Sequence, residues 1–254
     1  MAEKDFTGTS VIVTGGGSGI GRQVAHQVAA RGGRVIVADI ADSATTVAEE
    51  IRAAGGAAEA VVGDITDQAV VDELVAAAGA GSIALVNNAG VMDQFAGAQG
   101  TDDAIWQRCL NINVTAPFML TRAVLPVMRE NGGGAIVNVG SAASIRGAAA
   151  GAAYTASKHA LAGLTKNTAY TYGRENVRCN LVAPGGVDTN IMSSIDPAGI
   201  DPSAGLGILK PIHDSAIRNA RPEETAAAIV FLLSPAASNV NGAIIPVDGG
   251  WAAG

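Results

Sequence analysis

The sequence predicts a doubly wound α/β domain, in which helices cover both faces of a parallel sheet of seven strands. Two observations carry this prediction. Short apolar runs bounded by glycine or polar residues alternate with helical patterns along the 254-residue chain. A glycine-rich turn joins the first strand to the first helix, as in parallel α/β units. We find no linker or repeat, so residues 1–254 are expected to form one domain.

The elements are expected in strict alternation. The run at 10–14 predicts the first strand, Val24 and Val28 mark the first helix, and the run at 34–38 predicts the second strand. The remaining helices are expected at about 43–54, 67–78, 102–130, 152–173 and 222–233. The remaining strands are expected at about 58–62, 83–86, 135–139, 177–182 and 243–247.

One long segment, at about 188–221, lacks a regular pattern and carries Pro197, Pro202 and Pro211. Long loops in compact domains often cover a binding site, so we expect a substrate lid here. Its apolar residues favour a hydrophobic or ring-containing substrate. These residues are Ile191, Met192, Ile195, Leu206, Ile208, Leu209 and Ile212.

Composition excludes several classes of function. A net charge of −7 and a pI near 4.9 argue against binding to nucleic acid or to an anionic membrane surface. Two cysteines, Cys109 and Cys179, suggest a reducing compartment, and the N-terminal residues lack a secretion signal. We therefore expect a cytoplasmic protein. The histidines do not have a metal-ligand spacing, so no metal is expected.

The glycine turn indicates a dinucleotide site. Backbone N–H groups at a helix N-terminus bind a diphosphate well. The spacing Gly15-x-x-x-Gly19-x-Gly21 differs from the usual G-x-G-x-x-G motif. It also resembles a nucleotide-hydrolase P-loop, but Arg22 and Gln23 stand where lysine and serine or threonine are required. We therefore reject a nucleotide hydrolase.

Asp39 favours NAD over NADP. It ends the second strand, 18 positions after Gly21, where a carboxylate can bind the adenosine ribose hydroxyls and repel a 2′-phosphate. Arg22 and Arg34 are close in sequence and leave this preference open to test.

Tyr154 and Lys158 are the candidate catalytic pair. Four positions apart, they lie on one face of a predicted helix. A free tyrosine has a pKa of about 10, and a neighbouring ammonium group favours the phenolate. The pair is therefore expected to exchange a proton during carbonyl and alcohol interconversion.

Taken together, these motifs resemble the short-chain dehydrogenase/reductase family over nearly the whole chain. Its glycine motif TGxxxGxG starts at Thr14, its NNAG motif spans residues 87–90, and its YxxxK motif is Tyr154 to Lys158. Its serine precedes the tyrosine by 13 positions, at Ser141, and its PG motif lies at 184–185.

The resemblance implies a role for each catalytic residue. Tyr154 would be the general acid or base, and Lys158 would lower its pKa and bind the nicotinamide ribose. Ser141 would donate a hydrogen bond to the substrate oxygen. Asn113 would hold a water that links Lys158 to solvent. Asn111 is a neighbouring competitor for that role, but the family pattern aligns with Asn113, and Ala116 replaces its usual glycine.

The resemblance also implies a set of cofactor contacts. Asp64 and Ile65 would meet the adenine, while Val187 and Thr189 would hold the nicotinamide carboxamide. The full cofactor-binding set is Gly15, Ser18, Gly19, Ile20, Gly21, Asp39, Ile40, Asp64, Ile65, Asn88, Ala89, Gly90, Tyr154, Lys158, Pro184, Gly185, Val187 and Thr189.

The sequence thus predicts an NAD-dependent oxidoreductase that acts on secondary alcohols or ketones. The resemblance implies a homotetramer or homodimer. Two alternatives stay open: a 3-oxoacyl thioester reductase of the same family, and a non-catalytic dinucleotide-binding regulatory protein. His213 and Arg146 are further candidates for substrate contact, Arg146 for an acidic group.

Overall fold

The computed structural model describes residues 4–196, 199–200 and 205–253. A seven-stranded parallel sheet has the order β3-β2-β1-β4-β5-β6-β7, so the predicted fold is confirmed. The strands are β1 Thr9–Thr14, β2 Arg34–Asp39, β3 Ala57–Val62, β4 Ser82–Asn87, β5 Gly134–Val139, β6 Val177–Pro184 and β7 Ile244–Val247. The helices are α1 Gly19–Ala30, α2 Ser43–Ala53, α3 Gln68–Ala78, α4 Asp103–Leu110, α5 Ala116–Glu130, α6 Ala152–Tyr172, α7 Gly207–Asp214 and α8 Pro222–Leu233.

The sheet is buried on both faces because its strands are apolar at successive positions. In β1, Val11 and Val13 pack into one core with α1, α2 and α8, while Ile12 packs into the opposite core with α3 and α5. Each such fully buried side chain contributes about 2 kcal/mol of hydrophobic stabilisation. These two cores fix the strand ends against the helices that follow them.

The strand order reverses between β1 and β4. The chain runs outward from β1 through β2 to β3, then returns to pair β4 with the other side of β1. A crevice opens where neighbouring crossovers diverge, and ligands bind there at the carboxyl ends of the strands. The glycine turn after β1 and the NNAG stretch after β4 meet at this crevice.

The helix predicted over 102–130 is interrupted by a π-helical turn. Asp102 caps its start by accepting a hydrogen bond from the Ala104 N–H at 2.7 Å. The π turn Asn111–Thr115 separates α4 from α5. Such turns occur often at functional sites, and this one carries Asn113.

The segment predicted to be irregular contains a helix that the sequence pattern missed. Its ends are joined by a parallel bridge between Val187 and Ala220. Between them lie the 3₁₀ turn Asn190–Ser194 and α7, which continues through Pro211. Proline removes one backbone hydrogen bond from a helix, and this helix of eight residues tolerates that loss at Pro211. Pro197 and Pro202 lie outside the described residues.

Within the part of the chain that the structure describes, no helix is both long enough and apolar enough to cross a membrane.

Candidate active site

A cleft of about 860 Å³ opens along the carboxyl ends of the strands. Of the predicted cofactor residues, Gly21 alone is not on its wall, since it lies buried behind the glycine turn. The wall includes Gly15, Ser18, Gly19, Ile20, Asp39, Ile40, Asp64, Ile65, Asn88, Ala89, Gly90, Tyr154, Lys158, Pro184, Gly185, Val187 and Thr189. Ser141 lines the same cleft, whereas Asn113 does not.

The glycine turn requires its glycines for two reasons. Gly15 and Gly19 have φ values of 61° and 50°, in the left-handed region that favours glycine. A Cβ at Gly21 would lie 2.2 Å from the Gly15 carbonyl oxygen, so no larger residue fits. Ser18 precedes α1 without capping it through its side chain, which leaves the helix N–H groups directed at the cleft.

Thr14 and Asn88 brace this turn, a role that the sequence did not predict. The Thr14 hydroxyl accepts hydrogen bonds from the N–H groups of Asn88 and Ala89, at 3.0 and 3.1 Å. The Asn88 amide donates to the carbonyls of Thr14 and Gly15, at 2.9 and 3.1 Å. The ends of β1 and β4 are therefore joined beneath the glycine turn.

Asp39 is held at the edge of the cleft by backbone groups. One carboxylate oxygen accepts from the Gly17 N–H at 3.0 Å, and the other accepts from the Ala41 N–H at 3.2 Å. The two nearby arginines point to other partners: Arg22 pairs with Glu50 at 2.8 Å and Arg34 pairs with Glu59 at 2.6 Å. The negative charge of the Asp39 carboxylate is therefore not offset by either of these two arginines.

One carboxylate oxygen of Asp64 is engaged in hydrogen bonds within a local turn. Its Oδ1 accepts from the backbone N–H and the hydroxyl of Thr66, at 2.9 and 2.8 Å. The cap of α3 is Asp67 instead, which accepts from Ala69. The apolar side chains of Ile40 and Ile65 line the cleft on either side of this turn.

Tyr154 and Lys158 lie together on α6, as the spacing predicted. The Lys158 ammonium is 5.4 Å from the centre of the Tyr154 ring and donates a hydrogen bond to the Val139 carbonyl at 2.9 Å. Both side chains are buried, at 4% and 3% exposure. The four-residue spacing therefore brings the two side chains together, although the lysine donates its hydrogen bond to the backbone of β5.

The expected lowering of the Tyr154 pKa is wrong for this geometry. Burial raises the Tyr154 pKa well above its usual value, and a hydrogen bond with Ser141 opposes that rise only in part. Burial also lowers the Lys158 pKa to about 8. Removal from water is the largest cause of both pKa shifts.

Ser141 is fixed by the short helical turn that follows β5. Its hydroxyl accepts from the Ala143 N–H at 3.1 Å, while its own N–H donates to the Ser144 hydroxyl at 3.2 Å. This reciprocal cap orients the Ser141 side chain toward Tyr154.

Asn113 lies behind the cleft and is saturated by protein groups. Its amide accepts from the Val91 N–H at 2.9 Å and donates to the Val91 carbonyl at 3.0 Å. It also donates to the Ser157 hydroxyl at 3.0 Å. The side chain thus joins the loop after β4 to α6, and its water-holding role stays a prediction.

Comparison with known proteins agrees with this geometry. Residues 15–252 match a family model described as enoyl-(acyl carrier protein) reductase. The chain is 43% identical over 251 residues to the short-chain dehydrogenase/reductase cdmF of Talaromyces verruculosus, covering 95% of this chain and 96% of that one. The chain belongs to the short-chain dehydrogenase/reductase family.

Solved structures of this short-chain dehydrogenase/reductase family superpose closely. One, from Beutenbergia cavernae and described as an NAD(P)-dependent gluconate 5-dehydrogenase with NADP bound at low occupancy, has 38% identity, a TM-score of 0.86 and full coverage of both chains. Another is a 7α-hydroxysteroid dehydrogenase in complex with NADH and 7-oxo glycochenodeoxycholic acid, with 34% identity and a TM-score of 0.82, covering 98% of this chain and 96% of that one.

In this short-chain dehydrogenase/reductase the end of the cleft beside Tyr154, which we name the substrate end for its predicted role, is apolar. Met92, Phe95 and Ile195 are buried in one cluster with Tyr154. Four partly buried residues of the predicted lid and its surroundings pack on it, namely Ile191, Ile200, Leu206 and Leu209. Two of the apolar lid residues that we singled out, Met192 and Ile208, are 53% and 69% exposed instead.

Aromatic contacts fasten α7 over this cluster. The His213 ring lies 6.0 Å from those of both Phe95 and Trp251, edge to face, and its Nε2 is 3.0 Å from the Ala149 carbonyl oxygen. The Trp251 N–H donates to the Ile212 carbonyl at 2.9 Å. His213 lines the cleft as expected, and the sequence pattern did not single out Phe95 or Trp251.

Arg146 faces away from the main cleft. Its guanidinium lies 6.0 Å over the Trp251 ring, and it lines a smaller cavity of about 540 Å³ instead of the cleft that holds Tyr154. This position gives no support to contact between Arg146 and the reacting end of a substrate.

Proposed function

We propose that this protein is an NAD-dependent oxidoreductase that interconverts a secondary alcohol and a ketone on an apolar, ring-containing small molecule. The observation that carries the proposal is the hydroxyl pair of Ser141 and Tyr154 at the cleft wall, with Lys158 beside the tyrosine ring. This arrangement provides a hydrogen-bond donor, a proton carrier and a positive charge around one substrate oxygen.

The residues of the cleft fit a dinucleotide. The left-handed glycines and the free N-terminus of α1 suit a diphosphate, and Asp39 suits the adenosine ribose. Thr189 packs so closely that a Cβ at Gly19 would lie 3.0 Å from its methyl carbon. In this proposal Val187 and Thr189 hold the carboxamide, and the nicotinamide, when bound, accepts or donates the hydride.

The chain's own residues then move the proton. Ser141 donates a hydrogen bond to the substrate oxygen and holds it against the Tyr154 hydroxyl. In alcohol oxidation Tyr154 takes the hydroxyl proton, and in ketone reduction it returns that proton to the alkoxide. Lys158 binds the nicotinamide ribose and favours the phenolate at that moment, while the apolar cluster excludes water. The path from Lys158 to solvent through a water near Asn113 is part of the same proposal.

The preference for NAD rests on Asp39. A 2′-phosphate would lie against this carboxylate, and the arginines able to offset it, Arg22 and Arg34, are paired with Glu50 and Glu59. The relative solved with NADP makes this preference worth measuring directly.

The substrate class rests on the apolar cluster above Tyr154. Met92 and Phe95 of this cluster line the cleft beside Tyr154, so an apolar ring gains more than a sugar or an acid. The related dehydrogenase solved with a 7-oxo steroid acid is consistent with a ring-containing substrate.

The test is a screen of cyclic and steroidal ketones and their alcohols, each with NAD(H) and NADP(H), followed by the absorbance of reduced nicotinamide. We expect turnover of apolar ring substrates with NAD(H) at a kcat/KM at least about tenfold above that with NADP(H). Binding of neither dinucleotide would contradict the proposal.

The two alternatives give different results in the same assays. A 3-oxoacyl thioester reductase would prefer NADPH and an acyl-carrier substrate, and Asp39 disfavours the NADPH preference. A regulatory protein would retain its function in a Tyr154→Phe variant. We further propose a cytoplasmic homotetramer, which sedimentation and cell fractionation test.

A further inference from the structure

Asp93 is a buried carboxylate to which the proposed chemistry assigns no task. It lies in the loop after β4 and is only 2% exposed. Its Oδ2 accepts from the Tyr154 N–H at 2.9 Å, and its Oδ1 accepts from the N–H groups of Phe95 and Gly151, at 2.9 and 3.2 Å. Burying a carboxylate costs free energy unless such hydrogen bonds compensate for the lost water, and here three backbone N–H groups do so.

Helix α6 depends on Asp93 for its N-terminal cap. Gly151 occupies the N-cap position and has no side chain with which to bond the first N–H groups of the helix. Asp93 supplies that acceptor from a distant part of the chain, and its negative charge suits the positive end of the helix. A Cβ at Gly151 would lie 2.6 Å from the Asp93 carboxylate, so this contact requires glycine there.

The same carboxylate holds part of the substrate wall. Phe95 has a φ of 61°, a left-handed conformation that costs a bulky residue about 1 kcal/mol or more. Its N–H is bonded to Asp93, and its buried ring packs in the apolar cluster with Tyr154 and against His213. One side chain therefore connects the proton carrier to the surface that would receive the substrate.

We propose that Asp93 is a positioning residue that holds the backbone of Tyr154 and the wall residue Phe95 in the geometry required for hydride transfer. The inference rests on the proposed role of Tyr154. It predicts that loss of Asp93 alters turnover and substrate affinity together and leaves NAD binding intact, because Asp93 is not on the wall of the cleft.

Asp93 also acts on Tyr154 through its charge. The groups that face the tyrosine are Asp93 from the loop, Cys109 from α4, Ser141 after β5 and Lys158 on α6 itself. After burial, which contributes most, the charges of Asp93 and Cys109 raise the Tyr154 pKa, while the Ser141 hydrogen bond lowers it. Neutralising Asp93 therefore lowers the Tyr154 pKa and moves the pH at which alcohol oxidation becomes half-maximal to lower values.

The experiment compares Asp93→Asn with Asp67→Asn in the full-length protein. Asp67 is a matched control, because it caps α3 by accepting from the Ala69 N–H at 2.9 Å and does not line the cleft. For Asp93→Asn we expect kcat to fall about tenfold, KM for the alcohol to rise, Kd for NAD to stay unchanged and the pH profile to move to lower pH. Asp67→Asn should change none of these.

Hydrogen exchange in peptides covering 93–96 and 151–155 provides a second measurement. Both peptides should exchange faster in Asp93→Asn than in the wild-type protein. If the asparagine variant does not fold, Asp93→Ser replaces it in the same measurement, with the same expected result. An unchanged pH profile with unchanged exchange, in a variant that binds NAD, would overturn the positioning role. Absence of turnover in the wild-type protein would instead refute the proposed function, and the exchange result would still decide whether Asp93 holds the two segments.

Discussion

The cofactor end and the substrate end of the cleft are built by different means. At the cofactor end, the glycine turn and Asp39 are held mainly by contacts with backbone N–H and carbonyl groups. At the substrate end, Tyr154 depends on Asp93, 61 positions away, and Lys158 bonds the Val139 carbonyl, 19 positions away on another element. The two ends share one sheet edge, but backbone groups support the first, whereas buried charged side chains support the second.

This difference indicates how each end should respond to substitution. A site made of close-packed backbone tolerates no added atoms, because rigid groups cannot yield. A site made of buried side chains tolerates small steric changes better, but each polar group depends on its partners. Substitutions at the two ends should therefore separate binding of the cofactor from turnover.

The largest expected effect is the loss of turnover in Tyr154→Phe. This change removes only the proton carrier, so kcat should fall about 10³-fold, corresponding to about 4 kcal/mol of transition-state stabilisation. The Kd for NAD, measured by fluorescence of bound NADH, should stay the same, because the ring keeps its place in the apolar cluster. A parallel loss of NAD binding would contradict the idea that the two ends of the cleft serve cofactor binding and turnover separately.

Gly21→Ala should have the opposite effect, because it weakens NAD binding and leaves the proton carrier Tyr154 in place. The new methyl group would lie 2.2 Å from the Gly15 carbonyl oxygen and 2.6 Å from the Asn88 amide, so the turn must shift at a cost of about 2 to 3 kcal/mol. We expect NAD binding to weaken about 100-fold by titration calorimetry.

Gly81→Ala is the matched control for that loss. Gly81 lies just before β4, and a Cβ there meets no atom within 4 Å. Equal weakening of NAD binding in both variants would show that steric closeness in the turn is not the cause.

Distance along the chain, rather than the end of the cleft, explains what could be predicted from the sequence. The seven strands and the position of Asp39 at the end of β2 follow from local patterns, because apolar runs and glycine spacing lie within short stretches of sequence. The bracing by Thr14 and Asn88, and the cap that Asp93 gives to α6, join residues far apart in the chain, and no local pattern encodes them. The pKa of Tyr154 was missed for a related reason, since burial depends on every element packed around it.

A third prediction tests whether the charge of Asp39 sets the preference for NAD at the cofactor end. Asp39→Asn keeps the size of the side chain but removes its charge, so it should lower affinity for NAD and no longer repel a 2′-phosphate. Charge-assisted hydrogen bonds contribute about 1.5 to 3 kcal/mol, so the ratio of kcat/KM for NAD over NADP should fall roughly 10- to 100-fold. The Tyr154-dependent pH profile should be unaffected, and a shift in it would mean that the two ends are electrostatically coupled.

The smallest effect is on stability and concerns Lys158. Burial lowers its pKa to about 8 from an ordinary value of 10.5, so the unfolded chain binds more protons between these values. Its charged form therefore destabilises the fold fully below about pH 8, and this contribution fades as the pH rises toward 10.5. Lys158→Met should accordingly be inactive yet more stable by about 2 kcal/mol at pH 7, with the difference shrinking above pH 8.

Denaturant unfolding of both proteins between pH 6 and pH 10 measures this directly. Lys166→Met is the matched control, since Lys166 lies on the same helix and its side chain is exposed. Its stability difference from the wild type should stay constant over the range. A Lys158→Met protein that is less stable at pH 7 would mean that the bond to the Val139 carbonyl outweighs the cost of burying the charge, and that the substrate end is held by its lysine as firmly as the cofactor end is held by its backbone.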